Sequence, residues 1–201
     1  MKKILIIFYI VIGIIIFAGI VVMATLHIKK ITSTNQLGHA QEQAANYNKY
    51  KFVNGEFNKL KKSEKNEVYY YAADGKRYIF PTTETYETWF RTIQISDIQT
   101  YDLIKLYEIP LGGNVTSRPG TLIQTPTDPN IYIVTKNGHI RAFADKNLLD
   151  LIYDFKWEKA VLTIPNYYFT NYKIDKPISN LSEFPDIPST ITIDQDKGLS
   201  Q

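Results

Sequence analysis

No cysteine occurs anywhere in the 201 residues. That absence excludes disulfide staples, thiolate nucleophiles and cysteine-ligated zinc, so burial alone must hold the fold together. Histidine is scarce, at three. His27, His39 and His139 share no metal-ligand spacing and no HExxH motif occurs, so neither a metal site nor a cofactor is expected. There is no GxSxG elbow, and no GK[ST] follows Gly112-Gly113, which leaves no catalytic residue to assign. Excess charge is lacking too. The formal net charge is +3, and Lys2, Lys3, Lys29 and Lys30 supply four positive charges beside one hydrophobic run, leaving −1 from residue 31 onward. A nearly neutral remainder has no electrostatic reason to condense on nucleic acid.

What is present begins with that run. Ile4 to Leu26 is 23 residues without a charge. As a helix it measures roughly 34 Å at 1.5 Å per residue, enough to cross a hydrocarbon core of ~30 Å. A cleavable signal peptide would carry a shorter apolar core and a small-x-small site, and Met23-Ala24-Thr25-Leu26-His27 offers no convincing one. An uncleaved anchor through the lipid bilayer is therefore expected. Lysines flank both ends, so the positive-inside rule decides little. A three-residue tail with two lysines most simply stays in the cytoplasm and sends the rest outside. Residues 27–52 read as a stalk, helical or flexible. Residues 179–201, with Pro185 and Pro188 and few large apolar groups, read as a disordered tail.

The segment between, 53–178, repeats itself. Val68–Phe80 (VYYYAADGKRYIF) aligns with Ile131–Phe143 (IYIVTKNGHIRAF) at an offset of 63 residues. Each copy is an aromatic and β-branched run, then Asp74-Gly75 or Asn137-Gly138, then a second run. That is the signature of a hairpin with a type I′ turn, which needs φ > 0 at both central positions. A helix follows each: TETYETWF, capped by Thr82 or Thr83, and KNLLDLIYDF, capped by Asp145. A glycine-led strand opens each copy, at Gly55 and at Gly120, and Gly112-Gly113 belong to a turn between copies. The expected fold is α+β: two tandem strand–hairpin–helix units, about 53–116 and 117–178, packed as one globule behind a transmembrane helix.

DGKRYIFPTTETYETWF, LGGNVTSRPGT and TDPNIYIV together resemble an uncharacterised tandem surface module of predicted exported proteins in small-genome, candidate-phylum bacteria. The resemblance covers roughly 55–178. It implies a cell-surface location and architecture and brings no catalytic residue. The second hairpin departs from the first, with His139 and Ile140 where the first has Lys76 and Arg77.

Aromatics carry the remaining signal. In a strand, successive side chains face opposite sides, so Tyr69-Tyr70-Tyr71 must turn at least one ring outward. With Trp157, Tyr167 and Tyr168, these residues form a candidate binding face for an envelope glycan or a surface protein; core packing is the competing reading. The function expected is non-enzymatic binding, adhesion or envelope assembly. The alternative is a cell-wall or polysaccharide hydrolase whose carboxylates converge only in the fold.

Overall fold

A computed structural model describes residues 2–48, 59–153 and 157–199, with the side chains of the first helix from 18 to 43. The chain divides into two compact parts, Met1–His39 and Ala40–Gln201.

The first part is helix. α1 runs without interruption over Lys2–Asn48, about 70 Å at 1.5 Å per residue. Thr25, Thr32 and Thr34 return their hydroxyl protons to the carbonyls of Val21, Ile28 and Lys30 at 2.8–3.0 Å, which satisfies polar groups within the helix itself. Among the described residues no helix is long and apolar enough to cross a membrane. Of the Ile4–Leu26 run, only the side chains from Ala18 onward are described.

The second part is α+β, with two sheets and five further helices among the described residues. The first sheet holds β1 (Leu60–Lys62), β2 (Val68–Tyr71), β3 (Arg77–Ile79) and β4 (Leu111–Asn114) in that order; β4 alone is parallel to its neighbour. The second holds β5 (Leu122–Thr125), β6 (Asp128–Val134), β7 (His139–Phe143), β8 (Val161–Thr163) and β9 (Lys173–Ile178), in the order β8-β5-β6-β7-β9. The helices are α2 (Thr83–Phe90), α3 (Leu103–Tyr107), α4 (Lys146–Tyr153), α5 (Asn166–Phe169) and α6 (Ile193–Lys197).

The offset of 63 extends well beyond the hairpins. Tyr69↔Ile79, Tyr70↔Tyr78 and Tyr71↔Arg77 become Tyr132↔Ala142, Ile133↔Arg141 and Val134↔Ile140. The parallel pair Arg77↔Leu111 becomes Ile140↔Ile174. α2 and α4 correspond residue for residue. Even β8 has a trace in the first sheet, the isolated parallel bridge Lys62↔Thr100. Thr82 caps α2 by accepting from Thr85 N at 3.1 Å, and Asp145 accepts from Asn147 N at 2.9 Å ahead of α4.

Several expectations change. The Asn137-Gly138 turn has φ of 60° and 68°, as a type I′ turn requires, but in the first hairpin only Gly75 is positive, at 76°. There the loop is Ala73-Asp74-Gly75, closed by Gly75 N on Ala72 O and Ala72 N on Lys76 O, a type I turn with a bulge at Gly75. The side chain of Asp74 accepts from Lys76 N at 3.1 Å, which favours the ordinary negative φ. Gly112-Gly113 form no turn. They lie in strand β4, where a Cβ on Gly112 would stand 2.4 Å from Tyr78 Cζ and Gly113 has φ 124°. The strand expected at Gly55–Phe57 lies outside the described residues.

The expected tail is packed onto the compact part over its described residues, 179–199. Ile187 enters one apolar core with Leu122, Ile133, Phe143 and Leu149, and Ile191 and Ile193 enter the other with Val68, Tyr70, Tyr86 and Trp89. α6 carries a capping box between Thr192 and Gln195 and ends on Gly198 at φ 69°. Low overall hydrophobicity had suggested disorder; three isoleucines in the right register suffice to dock it. The compact part also begins before residue 53. Ala40 is buried in the second core, Gln41 donates to Leu151 O at 2.9 Å, and Gln43 accepts from Ile187 N at 3.0 Å.

Candidate functional site

Strand alternation sorts the tyrosines of β2. Tyr70 points inward and is fully buried in the first core, bonded through its hydroxyl to Asp194 at 2.9 Å. Tyr69 and Tyr71 point to the other face. Directly paired residues share a face, so the outer surface reads Lys61–Tyr69–Ile79 in one row and Tyr71–Arg77–Leu111 in the next.

Two cations organise that surface. The Arg77 guanidinium carbon lies 4.9 Å from the ring centres of both Tyr69 and Tyr107, and its Nε donates to Ile109 O at 2.9 Å. Lys61 Nζ lies 4.3 Å from the Tyr101 ring centre and 5.4 Å from that of Tyr71. Arg77 is 8% exposed, so the two ring faces replace much of its hydration. Tyr69 donates to Glu67 at 3.1 Å. Burial, then that carboxylate bond, pushes its phenol up to about 12. The ring therefore stays neutral and acts as packing. Around the buried pair stands an exposed rim of Tyr71, Ile104, Tyr107 and Leu111.

The second sheet treats the same positions differently. Val134 and Ile140 stand where the first has Tyr71 and Arg77, and both are fully buried in a cluster with Ile123, Tyr132, Ile164 and Tyr172. α5 supplies Tyr168 and Phe169 to close that face. One topology thus carries a sealed apolar face in one sheet and an open tyrosine–cation face in the other.

The five tyrosines and one tryptophan expected to form one face do not. Tyr70 and Trp157 are core, in different clusters, and Trp157 donates to Asp150 at 2.7 Å. Tyr69 is buried but belongs to the outer face, and Tyr71 is its exposed member. Tyr167 is exposed on α5 with its ring 4.4 Å from that of Tyr168. Sequence reasoning missed Lys61, Arg77, Tyr101, Tyr107 and Leu111. The signal for Arg77 and Leu111 was the period of two combined with the offset of 63; nothing local marked Tyr101 or Tyr107.

Among the described residues no group of three histidines or carboxylates could hold a metal. The two buried carboxylates, Asp194 and Asp196, both lie on α6 and serve as clasps. Asp194 accepts from Ala73 N at 2.9 Å, from Tyr70 and from Lys59, at the first hairpin turn. Asp196 accepts from Asn137 N at 2.9 Å, at the second. Burial pushes Asp196 up to about 6, against that backbone bond and the nearby Lys197 and Lys136. Lys197 donates to Asn114 O at 2.9 Å and lies 4.5 Å from the Tyr78 ring centre. His139 pairs with Asp175 at 2.9 Å across β7 and β9.

A separate cleft of about 450 Å³ is lined by Glu84, Glu87, Thr88 and Arg91 on and just after α2, by Thr121, and by the run 159–162 leading into β8.

No family model and no curated protein matches the chain. Among solved structures, the chain is similar at 15% identity to a chain described as "Structure of the periplasmic assembly from the ESX-5 inner membrane complex, C1 model". The match covers 71% of this chain and 39% of that one, with a TM-score of 0.25. The chain spans well under half the length of that neighbour.

Proposed function

We propose that the chain is a membrane-tethered, non-enzymatic binding module that presents the outer face of its first sheet to an envelope glycan outside the cytoplasm. The observation that carries this reading is the divergence of two faces built on one register. Where the second sheet seals Val134 and Ile140 under α5, the first keeps Tyr71 and Arg77 in an open row with Leu111. Sealing that face would have given more apolar burial, so leaving it open favours a ligand. Tyrosines bury large area at small entropic cost and keep a hydrogen-bonding tip, which suits sugar rings. The uncharged Ile4–Leu26 run supports the tether, and the short lysine-bearing N-terminus supports a cytoplasmic amino end. The resemblance to the surface module of candidate-phylum bacteria points the same way.

A glycan array probed with the full chain in detergent tests the face. Tyr71→Ala removes an exposed ring and should weaken binding at least tenfold with little change in the unfolding midpoint, whereas Tyr107→Ala should weaken binding as much and also lower the midpoint, because it uncovers Arg77. Binding that survives both substitutions would place the ligand elsewhere and end this reading.

A further inference from the structure

The outer face of the first sheet carries two cations that its topology does not require. The second sheet follows a closely matching register and sets isoleucine at both positions. Lys61 pairs with Tyr69, whereas its counterpart Ile123 pairs with Tyr132. Arg77 pairs with Tyr71, whereas its counterpart Ile140 pairs with Val134. Both isoleucines are fully buried. Among the described residues no carboxylate comes within ion-pair distance of Lys61 or Arg77. Glu67, one residue before β2, accepts instead from the hydroxyls of Tyr69 and Ser63 at 3.1 and 3.2 Å. Each cation is thus steadied by rings rather than by a counter-charge. Ring faces attract a cation but leave its net charge uncancelled. Donors remain as well. Lys61 gives one of its three protons to the Tyr101 hydroxyl at 3.2 Å. Arg77 spends Nε on Ile109 O, while Nη1 and Nη2 donate to no described group and neither is shut off from solvent.

We infer that the ligand of this face is an acidic glycan, with sugar rings on Tyr71 and Tyr107 and its carboxylates or phosphates on Lys61 and Arg77. This rests on the reading of the face as a glycan site and adds the class of glycan. An oxyanion supplies what the face lacks, acceptors for the spare N–H groups and negative charge for both cations. A neutral sugar would leave two positive charges uncancelled on a surface partly stripped of water. The spacing of the charges adds a further condition. Lys61 stands on β1 and Arg77 on β3, with the tyrosines of β2 between them. Neighbouring strands lie about 4.8 Å apart, so the two backbones are separated by about 10 Å. A chain bearing several anionic sugars, laid across the strands, engages both cations, whereas a single anionic sugar engages one.

The probes are tetragalacturonate, its methyl ester, a mannotetraose phosphorylated at O6 and unmodified mannotetraose, each titrated into the full chain in detergent. Each acidic member has a neutral counterpart of the same skeleton. At least one acidic member should bind tenfold or more tighter than its counterpart, and the pair with the larger preference separates carboxylate from phosphate. Raising sodium chloride from about 50 to about 500 mM should weaken that binding at least fivefold. Lys61→Gln should weaken the acidic ligand at least fivefold and leave its neutral counterpart unchanged. Arg77→Gln should act in the same way; should that variant fail to fold, Lys61→Gln and the salt series still decide. The inference is overturned if none of the four binds, if the neutral members bind as tightly as the acidic ones, or if Lys61→Gln weakens both alike. Neutral glycans bound in a manner that Tyr71→Ala abolishes would leave the glycan face standing without its acidic preference. Binding of any member that ignores Tyr71→Ala would remove the face itself.

Discussion

At the scale of single residues, the buried carboxylate of Asp196 gives the sharpest expectation. Burial raises it from 3.8 to about 6. The folded value lies above the unfolded one, so the fold prefers the neutral acid. Its contribution is fully present below about pH 4 and is lost as pH rises through about 6, a span worth about 3 kcal/mol. Asp196→Asn keeps a carbonyl for the Asn137 N–H and removes the titration. Urea unfolding of the two proteins should give nearly equal stability at pH 4 and favour the variant by up to about 3 kcal/mol at pH 8. A difference that does not change with pH would remove burial of this charge as its cause. Asp74 and Asp128 behave oppositely. For Asp128, the Tyr132 hydroxyl and the Asn130 N–H hold the carboxyl below its ordinary range. For Asp74, burial works upward but is outweighed by the Tyr78 hydroxyl and Lys76.

At the scale of elements, the edge strand β4 depends on a missing side chain. Gly112 admits the Tyr78 ring, and the register of β4 against β3 slips between Arg77 and Tyr78 to let it through. Gly112→Ala should cost about 2 kcal/mol by overpacking, measured as a shift in the urea midpoint. Adding Tyr78→Leu should recover part of that cost; strict additivity would mean that the ring is not what the glycine accommodates. The hairpins illustrate how far local sequence reaches. Both loops hold three residues, 73–75 and 136–138, yet Asn137-Gly138 took the positive φ values that Asn-Gly favours whereas Asp74 did not, because its carboxylate bonds Lys76 N and Tyr78. The helices were legible almost down to their caps, Asp145 for α4 and Thr82 or Thr83 for α2, of which the structure selects Thr82, because capping is decided within four residues.

At the scale of the whole molecule, the C-terminal segment joins the two halves of the compact part. Ile187 fills one core, Ile191 and Ile193 the other, and α6 reaches both hairpin turns through Asp194 and Asp196. Deleting residues 186–201 removes three buried isoleucines, each worth about 2 kcal/mol or more, a loss comparable with the whole stability of a small domain. The truncated chain should lose its cooperative thermal transition and its near-ultraviolet circular dichroism. A sharp transition at the original temperature would show the segment to be dispensable. The proposed tether predicts that protease added to intact cells digests the 40–201 part. Digestion seen only after lysis would place that part on the inner side.

The sequence by itself determined what is local or periodic: the offset of 63, the alternation of β2, the capped helices, and the absence of cysteine and of any catalytic motif. Each is encoded within a few residues or in a simple period. Tertiary structure decided which tyrosines are surface and which are core, because alternation gives two faces without saying which one another element will cover. It also decided the fate of the tail, where Ile187 finds Leu122, Ile133, Phe143 and Leu149 dozens of residues earlier and Ile191 and Ile193 find Val68, Tyr70, Tyr86 and Trp89 more than one hundred earlier, and it brought Tyr101 and Tyr107 onto the cations of β1 and β3. Those pairings depend on where the chain returns in space, and composition holds no record of that.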